Sequence, residues 1–169
     1  MACLGLEIPK KFAKKAYSRL GMLTKWKYVG VPMSPYLLDI YILFIRSVTE
    51  YCAVVFHSNL TLQQSEKIEK IQKTSLKVIL GDMYVSYSAA LEMCGLETLS
   101  DRREERCLSF SLKSIKHPKN RRLFPLNPST SEYFVRQKEI FQVNFAKTDD
   151  YKKSAIPFCQ RLLNEHFKG

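Results

Sequence analysis

The sequence predicts a mainly α fold: an irregular bundle of about five helices, then a short extended or β-hairpin segment, then a final helix. Three observations lead there. Apolar residues recur at three- and four-residue intervals through most of residues 10–115, with Ser or Thr where the runs begin and Gly where they end. Two-residue alternation is clean only over Phe141-Gln142-Val143-Asn144-Phe145. The chain has 169 residues, 46% of them hydrophobic, with only Gly 6 and Pro 7. That is enough apolar material for one core without staples.

In residues 10–27, Phe12, Ala16, Leu20 and Leu23 recur at helical spacing, and Lys11, Lys14, Lys15 and Arg19 fill the other side. This is an amphipathic helix with a basic face, weakened by Gly21 and ended by Gly30 and Pro32. Ser34 can cap the next helix, with Pro35 at its first position. Tyr36 to Phe56 is apolar nearly all round and suits the centre of a bundle. Its run Ile40–Ile45 resembles a strand, but no turn signal stands before Asn59, and helix is the expectation. Thr61 with Gln64 forms a capping box for a helix that Gly81 closes. Its predicted buried face is Leu62, Ser65, Ile68, Ile71 or Gln72, Ser75 and Ile79. Glu66–Lys70 and Glu69–Lys73 have the spacing and order of favourable ion pairs.

A short helix follows over 86–94, stopped at Gly95. Thr98 or Ser100 then caps a helix to about Ile115, with Leu108, Leu112 and Ile115 facing in and Pro118 beyond. Residues 119–131, with Pro125 and Pro128, read as a loop and as the one plausible boundary. The expected organisation is a helical domain over 1–118 and a small extension over 119–169 packed on it. In the extension, Phe134, Ile140, Phe141, Val143 and Phe145 suggest one or two short strands. Ser154 then caps the last helix, with Pro157 in its first turn and Phe158, Leu162 and Leu163 facing in.

Lys+Arg number 27 against 16 for Asp+Glu, a formal net charge of +11. The excess sits in two blocks: residues 1–30 are net +6 and residues 100–122 net +5. Such one-sidedness favours a polyanionic partner or an anionic surface. Asp39, Arg46 and Glu50 interrupt the most apolar stretch and make a membrane span costly. The five cysteines form no CxxC pair and read as free thiols of a reducing compartment. The opening residues lack the apolar stretch and small-residue cleavage site of a signal peptide. Their basic amphipathic look is a weak match to a mitochondrial address, with Ser and Arg sparse. The nucleus or cytoplasm is the expected location.

Few residues point to chemistry. His57, His117 and His166 lie far apart, no Cys or His pair has ligand spacing, and no cofactor or metal is expected. There is neither a GxSxG turn nor a phosphate loop. Asp149-Asp150 resembles the acidic pair of a two-metal nucleotidyl transferase, but no apolar strand leads into it, and an exposed acidic turn is the expectation. Basic helix faces remain. Lys70, Lys73 and Lys77 lie on one face of the third helix, and Arg102, Arg103 and Arg106 are predicted to lie together on the fifth. Cations one turn apart can follow phosphates. Tyr84, Tyr87 and Trp26 can offer stacking planes. The competing explanation for the lysines is a solvated face. For the arginines it is pairing with Asp101, Glu104, Glu105 or another helix, and for the aromatics it is the core.

Four segments, YILFIRSVTEYCAVVFHSNLT, QSEKIEKIQKTSLKVILG, ALEMCGLETLSDRREERCLSF and TDDYKKSAIPFCQRLLN, stand in an order that resembles the end of the polyprotein of non-LTR (LINE-like) retrotransposons, after the reverse transcriptase core. The resemblance spans roughly residues 12–167. It implies a helical accessory segment that helps hold template RNA or target DNA, with no catalytic residue of its own. The family's catalytic aspartates lie in an apolar palm box upstream, and Asp149-Asp150 is not that box. The endonuclease and the terminal Cys/His knuckle have no counterpart here. Candidate backbone contacts are Lys70, Lys73, Lys77, Arg102, Arg103 and Arg106, and in second rank Lys11, Lys14, Lys15 and Arg19. The expected partners are RNA or DNA without sequence preference, the remainder of a reverse transcriptase, or a second copy of the chain, and no membrane. The alternatives to nucleic-acid binding are an inactive truncated relic or a protein-contact scaffold. A metal-dependent enzyme using Asp149 and Asp150 is the least favoured.

Overall fold

The structure, a computed structural model, describes residues 4–30, 35–127 and 139–168. Eight helices and no β-strand are found among these residues. Helix α1 covers Leu4–Tyr28, beginning earlier than its apolar spacing indicates, and the chain leaves it through Gly30 at φ 87°. Helix α2 opens as Tyr36–Ile40, widens into a π-helical stretch over Tyr41–Arg46 and ends in the turn Ser47–Thr49. Pro35 occupies its N-cap position rather than its first helical one. Ser34 lies outside the described residues.

The single helix expected over 36–56 is broken. Glu50, Tyr51 and Cys52 form a turn, with Cys52 in the left-handed region at φ 54° and ψ 27°. The short helix α3, Ala53–Phe56, then starts in a new direction. Its Ala53 and Phe56 pack with Ile68 and Leu99 in a small apolar cluster. Burial of these side chains drives the reversal, and neither Gly nor Pro announces it.

Helix α4, Leu62–Leu80, carries the full capping box: Gln64 N–H donates to Thr61 Oγ1 at 3.3 Å, and Thr61 N–H donates to Gln64 Oε1 at 3.0 Å. Gly81, at φ 56°, ends it. Its buried face is Ile68, Ile71, Gln72, Ser75, Leu76, Ile79 and Leu80. Leu62, expected inside, is 85% exposed because nothing covers the first turn. Helix α5, Tyr87–Cys94, is capped by Ser86 and closed by Gly95. Helix α6, Leu99–Lys116, is capped by Thr98 and not Ser100. Leu99, Arg103, Cys107 and Ser111 recur every four residues on its buried side, so small and polar residues face inward. Leu108, Leu112 and Ile115 are half-buried at the margin.

One apolar cluster joins α1 (Ala16, Leu20, Leu23), α2 (Leu37, Tyr41, Ile45, Val48) and α4 (Ile71, Leu76, Ile79), with Ala90 of α5. A second joins Cys107 of α6 to Phe124, Phe141, Cys159 and Leu163. The last two residues lie on helix α8, Ala155–His166, which follows the short helix α7, Asp149–Lys152. The C-terminal residues thus build their core against α6. On α8, Pro157 and Leu163 are buried, while Phe158 and Leu162 are half-buried.

The alternating segment 141–145 finds an unusual partner. Leu126 and Phe141 form one isolated antiparallel bridge. Beyond it, the backbone of the segment bonds to side-chain amides of α8. Phe141 N–H donates to Asn164 Oδ1 at 2.8 Å, and Asn164 Nδ2 donates back to Phe141 O at 2.9 Å. One turn earlier on α8, Gln160 accepts from Asn144 N–H at 2.9 Å and donates to Leu123 O at 2.7 Å. Buried backbone groups need partners, and two amides at i and i+4 on a helix supply several of them here. Phe134 lies outside the described residues.

Asn164→Leu leaves the Phe141 N–H and C=O unpaired in a buried setting, and should cost about 2–4 kcal/mol of stability by urea denaturation. Cys52→Gly should raise stability by about 0.5–1 kcal/mol in the same assay, because glycine enters the left-handed region without a Cβ clash, while Cys52→Ala stays near wild type.

Candidate nucleic-acid interface

Two sets of basic side chains reach the surface from α4 and α6, and their settings differ. On α4, Lys70, Lys73 and Lys77 are all exposed and share one face. The Lys73 ammonium lies over the Tyr87 ring, 5.0 Å from its centroid, and Lys77 over Tyr84 at 5.3 Å. Each ring therefore carries a cation on one face, which tethers the lysine stems without neutralising them. The ion pairs that spacing suggests do not form: neither Glu66–Lys70 nor Glu69–Lys73 comes within salt-bridge distance among the described residues. Glu69 is engaged elsewhere. It accepts the Tyr87 hydroxyl in a short hydrogen bond and the Leu99 N–H at 3.1 Å.

Beneath this face lies Gln72, with no exposed surface. Its Oε1 accepts from Tyr41 Oη at 2.5 Å, and its Nε2 donates to Tyr87 Oη at 3.0 Å and to Glu97 O at 2.8 Å. The network fixes the Tyr87 ring, and with it the seat of Lys73. Burial, and then the bond to Glu69, push the Tyr87 hydroxyl well above the usual phenol range, so it remains a donor.

The arginines of α6 do not form one stripe. Residues 102 and 106 are one turn apart, whereas 103 is turned by about 100°. Arg102 Nε and Arg106 Nη2 each lie 2.5 Å from the carboxylate of Glu50, which also has Arg46 Nε at 3.4 Å. Glu50 is only 6% exposed. The acid that binds these arginines thus comes from the turn after α2, not from Asp101, Glu104 or Glu105. Three guanidiniums around one carboxylate leave a local excess of positive charge, and the Arg106 side chain retains 47% of its exposure.

Arg103 is buried, at 1% exposure, and its Nη2 donates to Ser65 Oγ at 2.9 Å. In this fold it is an interior residue and not a surface contact, because position 103 belongs to the packed side of α6. Its Nε and Nη1 have no protein partner, and neither do the buried Glu69 Oε2, His57 Nδ1 and Ser58 Oγ. The charge of Arg103 reaches His57, which burial and then that charge hold down to about 4 from its ordinary 6.5.

On α1, Lys11, Lys14 and Lys15 are exposed and Arg19 is half-buried. Arg19 Nη1 donates to Phe44 O on α2 in a short hydrogen bond. Lys14 lies on a different side of the helix from Lys15 and Arg19. Trp26 meets the Phe44 ring edge-on, with centroids 6.2 Å apart. Asp149 and Asp150 are exposed in the first turn of α7, which Thr148 caps. Among the described residues no group of three or more His, Cys, Asp and Glu side chains could hold a metal ion, and no helix is long and apolar enough to cross a membrane.

Spacing offered Gln72 for the buried face but not as the centre of a polar network, and it did not mark Glu50 as the partner of the α6 arginines. For Glu50 the available signal was Arg46 four residues earlier inside an apolar run, the pattern of an acid buried with its own counter-ion. Gln72 carried only its position, between Ile71 and Ser75 on the inner face of α4.

His57 gives a pH signature. The unfolded chain takes up a proton near pH 6.5, whereas the folded chain refuses it until about pH 4, so stability should fall between those values as pH drops and level off below. His57→Asn should flatten that part of the profile, read as urea midpoints against pH. No family model matches this sequence, and no curated protein or solved structure is significantly similar to it.

Proposed function

We propose that the chain is a helical accessory segment of a retrotransposon reverse transcriptase, without catalysis of its own, that binds the backbone of RNA or DNA through basic helix faces. The observation that carries this reading is the α4 face. Lys70, Lys73 and Lys77 are exposed along about 10 Å of helix, unpaired with the acids beside them, and two of them are steadied over tyrosine rings. Such a row meets successive phosphates and carries no base readout. Arg102 and Arg106 add to the field, since they and Arg46 outnumber Glu50. With one face of Tyr84 and of Tyr87 taken by an ammonium, base stacking is secondary to charge.

Fluorescence anisotropy with labelled single- and double-stranded RNA and DNA at several salt concentrations tests the reading. Affinity should fall steeply with salt and vary little with sequence. Replacing Lys70, Lys73 and Lys77 together by Gln should weaken every ligand and reduce the salt slope by about three, with an unchanged circular dichroism spectrum. An unchanged slope in that variant removes the α4 face from consideration.

A second reading, an inactive relic or a scaffold that contacts another protein, is favoured by one observation: Tyr36, Leu43 and Phe44 of α2 remain largely exposed. A closed monomer covers such side chains.

A further inference from the structure

The gap between α1 and α2 is a cleft of about 250 Å³ lined by Met22, Trp26, Ile40, Phe44 and Ile45, with Arg19 on its wall. Met22 is 48% and Phe44 50% exposed, and Leu43 beside them is more open still. These residues contribute walls to the cleft while their neighbours Leu23, Leu37 and Tyr41 close the core beneath. The apolar surface here is therefore left over after packing.

Its charge is predominantly positive. The described side chains of α1 include Lys11, Lys14, Lys15, Arg19, Lys25 and Lys27, and no acid. Lys15, Arg19, Met22 and Trp26 follow at intervals of four, three and four residues, so they form one stripe along the helix that is basic in its first half and apolar in its second. Arg19 is held at the cleft by its bond to the Phe44 carbonyl, and its remaining N–H groups keep their charge and donor capacity. On the α2 side, Asp39 is the single exposed acid, next to Ile40.

We propose that this cleft docks an acidic amphipathic helix of a partner protein, which seats a large apolar side chain against Met22, Ile40 and the paired Trp26 and Phe44 rings and sets a carboxylate against Arg19 and Lys15. The charge pattern selects this occupant. A second copy of the chain brings +11 to a basic surface and is repelled. A nucleic-acid backbone offers nothing to five apolar walls. A lipid surface is met by protruding side chains, whereas this site is concave. The recognition mode is helix-in-groove: apolar anchors supply the affinity and the acidic face supplies the selection. The inference does not depend on the α4 lysines, and either can fail without the other.

Trp26 is the only tryptophan in the chain and reports directly on the cleft. The test titrates Trp26 fluorescence with a five-turn helical peptide built of Leu and Glu, alongside a peptide of the same apolar pattern with Lys for Glu, a 20-nucleotide single strand and phosphatidylserine vesicles. The acidic peptide should give a saturable emission shift, and the other three should not. Phe44→Ala and Arg19→Gln should each weaken that binding about tenfold or more, with unchanged circular dichroism. Met22→Ser, at a half-exposed position, is the second apolar variant should Phe44→Ala unfold the chain. The proposal is overturned if the basic peptide binds as well as the acidic one, if only vesicles or the oligonucleotide shift the emission, if no ligand does, or if folded variants bind like wild type.

Discussion

The side-chain amide of Gln72 is the joint on which the bundle closes. It sits on the inner face of α4 out of reach of solvent, and an unpaired buried amide costs more than most apolar contacts return. The bonds to Tyr41, Tyr87 and the Glu97 carbonyl fix α2, α5 and the turn before α6 relative to α4. The consequences run outward. Tyr87, so held, engages Glu69, and Glu69 takes the Leu99 N–H at the start of α6. The rotation of α6 then directs Arg102 and Arg106 toward Glu50 and turns Arg103 inside.

The buried acid of this fold comes with company, whereas the buried Arg103 has only the Ser65 hydroxyl as its hydrogen-bond partner among the described residues. The Glu50 carboxylate sits in a nearly closed site with three guanidiniums around it. Such an arrangement returns less stability than its short distances suggest, since each partner gives up hydration. What it does secure is orientation. An acid in the turn after α2 and cations on α6 accept one relative placement of those helices, and that placement leaves the guanidinium of Arg106 partly in solvent.

Much of the helical layout was legible because capping is local. Thr61 with Gln64, Thr98, Gly81 and Gly95 each act within one turn, so short spacings locate them. The break at Cys52 was not legible, because its cause is the burial of Ala53 and Phe56 against residues far along the chain. Residues 141–145 alternate like a strand, yet beyond one isolated bridge their backbone partners include amides on a helix, which no pattern within the segment announces. The candidate interface divides in the same way. The α4 lysines were readable as a row on an exposed face. The three α6 arginines looked alike by residue type, but the 100° step between positions 102 and 103 separates them, and the four-residue repeat from Leu99 to Ser111 marks 103 as interior.

The hold of Asn164 and Gln160 on the segment from Phe141 to Asn144 also hides a hazard. That stretch has the alternation of a sheet edge, and its backbone is covered on one side by residues 125–127 and on the other by the last helix. Loss of α8 would leave the Phe141 N–H and C=O and the Asn144 N–H without partners. Unpaired groups of that kind invite pairing with another chain, so the final helix covers backbone as well as walling the core.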